Sequence, residues 1–202
     1  MKNKFLLFIL IAILFTSCEK KYIIKKESVY LKGWSEANGG YERLIPNADS
    51  KTFENMEFED VNCTFGKDKY HVYMDGEIVK KCDPKTFEYI GNYFFRDKNA
   101  IYFFGFYNSI DDWRITSINP KKFKIIKDYW ATDGEYLLNG YQTLKVEDLN
   151  SFVPLNENWG KTKTQIIYQT EIVKNVDYDS FEVIDLYSGK DKNHTIESSD
   201  IF

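Results

Sequence analysis

Apolar and polar positions alternate through Tyr70–Met74, where Tyr70, Val72 and Met74 would share one face of a strand and His71 and Tyr73 the other. The same mixture of aromatic and β-branched residues fills Ala100–Phe104, and such side chains suit a pleated surface better than a helix. Asp75-Gly76 follows the first run at once, a dipeptide that tolerates the positive φ of a tight hairpin turn. Glu77–Lys81 therefore reads as a returning strand. Asp83-Pro84 marks a second turn, with a carboxylate able to accept backbone N–H groups and a proline that fixes φ. Phe87–Ile90 and Asn92–Phe95 then predict short strands that lead to a new turn at Asp97-Lys98. The chain predicts hairpins and no amphipathic helix.

This pattern recurs. Its frame is an Asp-Lys pair, an aromatic five residues after the Asp, a glycine three further on, and then D-P-K-T-F, as in Asp68–Phe87. It returns at Asp97-Lys98 with Tyr102, Gly105 and Asn119-Pro120-Lys121-Lys122-Phe123, and more faintly from Thr132 and from Thr162. Another copy opens at Asp191-Lys192-Asn193, close to the end of the sequence, and Val29-Tyr30, Gly33 and Ala48–Phe53 form a diverged first copy. The starts at 68, 97, 132, 162 and 191 are 29, 35, 30 and 29 residues apart, a fixed period that marks a repeat array. The expected fold is all-β: tandem repeats of about 29 residues, each a hairpin plus a short strand, stacked in one solenoid- or propeller-like array. Phe53, Phe87, Phe123, Phe152 and Phe181 follow the second turn in every copy, and Phe65, Phe94, Tyr129 and Trp159 precede the starts by three. Rings so placed form a core ladder. Tyr73 and Tyr102 are expected to show one ring face to solvent.

Lys2 and Lys4 precede the apolar run Phe5–Phe15, and Thr16-Ser17-Cys18 follows it. A charged start, a short apolar stretch and small residues before a cleavage point read as a secretory signal over residues 1–17. L-F-T-S-C is similar to a bacterial lipobox, which makes Cys18 the lipidated first residue of the exported chain. Residues 18–27 then read as a charged tether and 28–202 as the repeat domain. Without Lys2 and Lys4 the net charge moves from −4 to −6, and that acidity argues against a nucleic-acid partner. The expected location is the bacterial cell envelope, anchored by lipid on its periplasmic or surface face. Export leaves Cys63 and Cys82 open to two readings, a disulfide or a pair of reduced thiols. Cys82 occupies the place of Ala48, Ile118 and Val176 in other copies, an apolar setting that suits a buried thiol.

Chemistry is sparse. There is no G-x-S-x-G, no phosphate-cradling glycine loop and no metal-ligand spacing around His71, His194 or the cysteines. No catalytic residue, metal site or cofactor is predicted, and the recurrent Asp68, Asp97 and Asp191 read as turn formers. Two copies carry longer segments between the hairpin glycine and the second turn, 16 residues after Gly33 and 14 after Gly105, against 7 or 8 elsewhere. Insertions in repeat proteins collect on the binding face. Theirs contain Trp34 and Tyr41 in the first, and Tyr107, Asp111, Asp112, Trp113 and Arg114 in the second, types that dominate binding energy. These are the candidate binding residues, for an envelope protein or a glycan; Trp34 and Trp113 folded back as core caps is the opposing reading.

Y-F-F-R-D-K-N-A-I-Y-F-F-G, with A-D-S-K-T-F, C-D-P-K-T-F and F-G-K-D-K, resembles the DKNYY-type repeats of bacterial exported proteins and lipoproteins. The resemblance is clear over Phe65–Phe123 and holds elsewhere by register. It implies export and a repeat architecture, and it implies no catalytic residue. The function expected is a non-enzymatic envelope lipoprotein that binds a protein or glycan. The alternatives are an envelope polysaccharide hydrolase and a purely structural or toxin-neutralising lipoprotein.

Overall fold

The computed structural model describes residues 20–37, 39–59, 61–105 and 113–202. Its secondary structure there is strand, turn and three single-turn 3-10 segments, at Leu149–Ser151, Tyr178–Ser180 and Ser198–Asp200. The all-β expectation holds. Two compact units divide the chain: one runs through Glu57 and takes up Asn62–Ile78, and the other comprises Phe58–Val61 and Val79–Phe202.

The first unit holds two antiparallel meanders. β1 (Lys21–Lys25), β2 (Ser28–Ser35) and β3 (Gly39–Leu44) form one. β4 (Glu54–Met56), β5 (Phe65–Lys67), β6 (Val72–Met74) and β7 (Glu77–Ile78) form the other. Lys21–Lys25, expected to be tether, is thus a strand paired with β2 through Tyr22↔Leu31. The reason is Tyr22, buried at the centre of the core with Val29, Leu31, Ile45, Phe53 and Tyr73. Its hydroxyl accepts a 2.7 Å bond from the Gly76 N–H. Asp75 and Gly76 both have positive φ, 49° and 87°, which gives the expected tight turn between β6 and β7.

Four sheets make up the second unit. They are β8–β11 (Glu88–Gly91, Phe94–Arg96, Ile101–Phe103, Arg114–Ile115), β12–β15 (Lys124–Lys127, Trp130–Thr132, Leu137–Asn139, Gln142–Leu144), β16–β19 (Val153–Pro154, Trp159–Lys161, Ile166–Tyr168, Glu171–Ile172) and β20–β22 (Glu182–Val183, Ser188–Lys190, Thr195–Glu197). Every pairing is antiparallel between sequence neighbours. Successive sheets share cores. Phe94, Ile101 and Phe103 pack with Phe123, Ala131 and Leu138, Trp130 and Leu137 with Ile167, and Trp159 and Ile166 with Ile196.

The ladder phenylalanines knit these cores. Phe123 lies 5.1 Å from Phe94, Phe152 4.8 Å from Trp130 and Phe181 5.2 Å from Trp159, each ring meeting the aromatic of the sheet before. The aromatic of the fourth copy is therefore Trp130, fully buried, and not Tyr129. The same rings demand small residues below them. A Cβ added at Gly160 would come within 2.4 Å of Phe152, and one at Gly189 within 2.6 Å of Phe181. The corresponding place holds Ala131 in one sheet and Phe95 in another, where Phe95 instead stacks flat on Phe87 at 5.2 Å.

Candidate functional site

The polar residues of the frame build one clasp, repeated along the chain. In the first unit Asp68 is 3% exposed. One carboxylate oxygen accepts the N–H groups of Tyr70 and His71, both at 2.7 Å, and so closes the turn between β5 and β6. The other accepts the Asp49 N–H at 2.8 Å and the Tyr73 hydroxyl at 2.8 Å. The turn that enters the sheet is thereby pinned to the sheet's own first hairpin. Lys69 adds an ion pair to Asp49 at 2.7 Å, and its backbone N–H donates to Thr52 Oγ1 at 3.2 Å. Asp, Lys and Thr of the motif thus have one shared task.

The second unit repeats the arrangement. Asp97 accepts Asn99 and Ala100 N–H at 2.7 and 2.8 Å, Asp83 N–H at 2.8 Å and the Tyr102 hydroxyl at 2.9 Å. Lys98 pairs with Asp83, and its N–H donates to Thr86 at 3.1 Å. Asp133 accepts from Glu135, Tyr136 and Asn119, and Asp191 from Asn193, His194 and Asp177. The fourth start is therefore Asp133, one residue beyond the Thr132 expected, and that copy does carry the acid. Its signal was the distance of 14 residues back to Asn119, the same as from Asp97 to Asp83 and from Asp191 to Asp177.

The clasp also overturns the expectation for the tyrosines. Tyr73 and Tyr102 are fully buried, because a phenol whose hydroxyl has a carboxylate partner can leave water at little cost. Burial first, then Asp68 at Tyr73, raises that hydroxyl's pKa far above the ordinary value. Tyr102 is raised likewise, by burial first and by Cys82 and Asp97. On the carboxylates burial works upward, but the accepted bonds prevail. The N–H groups of Asp49, Tyr70 and His71 with the Tyr73 hydroxyl hold Asp68 below its usual range. Asn119, Tyr136 and Glu135 do the same for Asp133. Such groups stay ionised, opposite in direction to the raised carboxyl a general acid requires.

The candidate binding residues fall on two structures. Trp34 and Tyr41 belong to the long hairpin of β2 and β3, eight and six residues against two to five in the other strands. The first insertion lengthens a hairpin. Tyr41 stands opposite Gly33, and Trp34 opposite Gly40, so the two rings project from opposite faces of the ribbon. Tyr41 lies against Gly33, where a Cβ would come within 2.6 Å of its hydroxyl oxygen. Trp34 is 51% exposed. Trp113 and Arg114 lie on the entry to β11 in the second unit. Trp113 is 5% exposed and edge-on to Phe104 at 4.7 Å, so here the capping reading is correct. Arg114 is half-buried beside it and pairs in register with Tyr102. Cys18, Tyr107, Asp111 and Asp112 lie outside the described residues.

Cys63 belongs to the first unit and Cys82 to the second. Cys63 and Cys82 are free thiols. Cys82 holds the half-buried place before the second turn, where burial, with Asp97 adding to it, pushes the thiol up to about 12. Burial and then Asp75 also raise Cys63. Protonated thiols are poor nucleophiles. Among the described residues no three His, Cys, Asp or Glu side chains come together as a metal-binding group, and no helix there is long and apolar enough to cross a membrane.

The model of the DKNYY family matches residues 22–159. No curated protein and no solved structure matches the chain.

Proposed function

The chain belongs to the DKNYY family, and from that premise we propose a non-enzymatic lipoprotein of the bacterial cell envelope, built as one stacked array of sheets and binding a protein or glycan partner. The observation that carries the binding role is Trp34. This tryptophan, half exposed on the longest hairpin, stands outside the first unit's core cluster, and exposed aromatics of this kind anchor interfaces. The stacked, solenoid- or propeller-like arrangement is supported by the clasp, which gives each entering turn the same attachment, and by cores shared between successive sheets of the second unit. The non-enzymatic reading is supported by the acids, whose oxygens are engaged by backbone donors at Asp68, Asp97, Asp133 and Asp191. Lipid attachment rests on the sequence ending at Cys18.

Two measurements test this reading in a bacterial host carrying the full chain with its leader. Fatty-acid labelling should mark the wild type and not Cys18→Ala; equal label on both overturns the anchor. Envelope crosslinking should capture a partner with wild type and lose it with Trp34→Ala while the melting temperature stays within about 2 °C, as expected for a surface site. Crosslinks that persist in Trp34→Ala would place the partner off the hairpin and overturn that assignment.

A further inference from the structure

A second polar feature, in the second unit, adjoins the clasp at Tyr102. Beside β11 a cavity of about 170 Å³ is lined by Val79, Lys80, Lys81, Tyr102, Trp113, Arg114 and Thr116. Among the described residues that line it, three are cationic and none is acidic. Trp113 and Tyr102 are buried and make the apolar wall, whereas Lys81 and Thr116 are exposed at the opening. Arg114 Nε is fully buried and has no hydrogen-bond partner among the described residues. A guanidinium nitrogen removed from water and left unpaired is costly, and in most folds such a donor meets a carboxylate or a phosphate.

We propose that this cavity is an oxyanion site, in which the Arg114 guanidinium, the Lys81 ammonium and the Thr116 hydroxyl receive one carboxylate or phosphate group of an envelope glycan. Size sets the ligand class. Pockets for whole drug-sized molecules run from about 300 to 1,000 Å³, so 170 Å³ admits a single charged group and leaves the rest of its carrier outside. Arg114 supplies direction, since its planar fork matches a planar or tetrahedral oxyanion better than an ammonium does. Lys81 supplies attraction from the rim. The carrier's chemistry rests on the envelope-binding reading above; the oxyanion site itself rests on the cavity and its unpaired donor.

The test uses the full chain purified from membranes in a non-ionic detergent. Tryptophan fluorescence is followed at fixed ionic strength during titration with inorganic phosphate, glucuronate or glucose. A saturable change with phosphate or glucuronate, and none with glucose, is expected; the anion that saturates names the source. Arg114→Gln should weaken binding at least tenfold, Arg114→Lys less, and the exposed Lys81→Gln two- to fivefold without altering melting. No saturable change, or one that Arg114→Gln leaves intact, overturns the site. So does binding that appears only after Asp111→Asn with Asp112→Asn, since the chain's own carboxylates would then be the occupants. Phosphate or glucuronate binding lost in Arg114→Gln while envelope crosslinks persist would overturn the link to the partner and leave the envelope reading standing.

Discussion

Asp97 and Thr162 stand at the same place in two sheets of the second unit, each 2% exposed and each at the turn after a sheet's second strand. The carboxylate serves four donors at 2.7–2.9 Å, two from its own turn, one from the turn that enters the sheet and one from Tyr102. The hydroxyl serves the two of its own turn, Thr164 and Gln165, at 3.4 and 3.2 Å. Ile167 replaces the tyrosine, fully buried and needing no partner, and Tyr178 donates instead to the Thr162 carbonyl at 2.5 Å. The entering turn is still held, because Lys163 N–H donates to Ser151 Oγ at 2.9 Å. Two tasks are therefore separable in the frame. Closing the hairpin needs one acceptor oxygen, and pinning the entering turn while burying a phenol needs a second.

The largest effect should come from the richer clasp. Asp97→Ala leaves three N–H groups and a buried hydroxyl without their acceptor, and a cost of about 3–5 kcal/mol is expected for breaking such a network. Thr162→Ala removes two long, neutral bonds and should cost about 1 kcal/mol. Urea denaturation of both variants measures the contrast. Equal costs would mean that the second oxygen does nothing and that the clasp is only a turn.

A comparable contrast lies in the ladder. Phe87 is 5% exposed and touches Phe95 and Tyr102, so Phe87→Ala should cost about 3–5 kcal/mol. Phe181 is half-buried at the last sheet, and its truncation should cost less, as a terminal repeat is covered on one side. Gly160→Ala, with its Cβ 2.4 Å from Phe152, should cost about 1–3 kcal/mol through overpacking. The same methyl is native at Ala131, so a neutral Gly160→Ala would show that Phe152 can swing aside.

The repeat and its turns were legible because each rests on local chemistry. Asp-Gly needs positive φ, Pro fixes φ, and alternating aromatics need a pleated surface; all three appear in sequence as neighbours. What was hidden is non-local. The bond from Asp83 N–H to Asp97 crosses 14 residues, and its counterpart from Asn119 N–H to Asp133 explains why Asp133, not Thr132, opens its copy; Tyr102 is buried because its hydroxyl meets that same Asp97 carboxylate. Trp34 and Trp113 looked alike as inserted aromatics. Their fates differ because one insertion pairs with itself as a longer hairpin, while Trp113 packs on Phe104.

The smallest effect is the dependence on acid, and it separates the two kinds of clasp amide by amide. Asp191 is held down to about 2, by the Asp177 N–H first and, against opposing burial, by Asn193 and His194; Asp133 is lowered as well. A carboxylate depressed in the folded chain contributes stability above its unfolded pKa of about 3.9 and loses that contribution as pH falls through the folded value. The window for Asp191 therefore runs from about pH 4 down to about pH 2, with melting unchanged between pH 7 and pH 5 on its account. Thr162 has no proton to gain in that range. After allowance for intrinsic exchange, the His194 amide should lose protection between pH 4 and pH 2, and the Tyr136 amide as pH falls below the unfolded value through the lowered one of Asp133, both ahead of Gln165, the donor to Thr162. Asp191→Asn should remove the pH dependence at His194 alone. Parallel loss at all three amides would mean that acid opens the unit as a whole, and that the clasps do not titrate one by one.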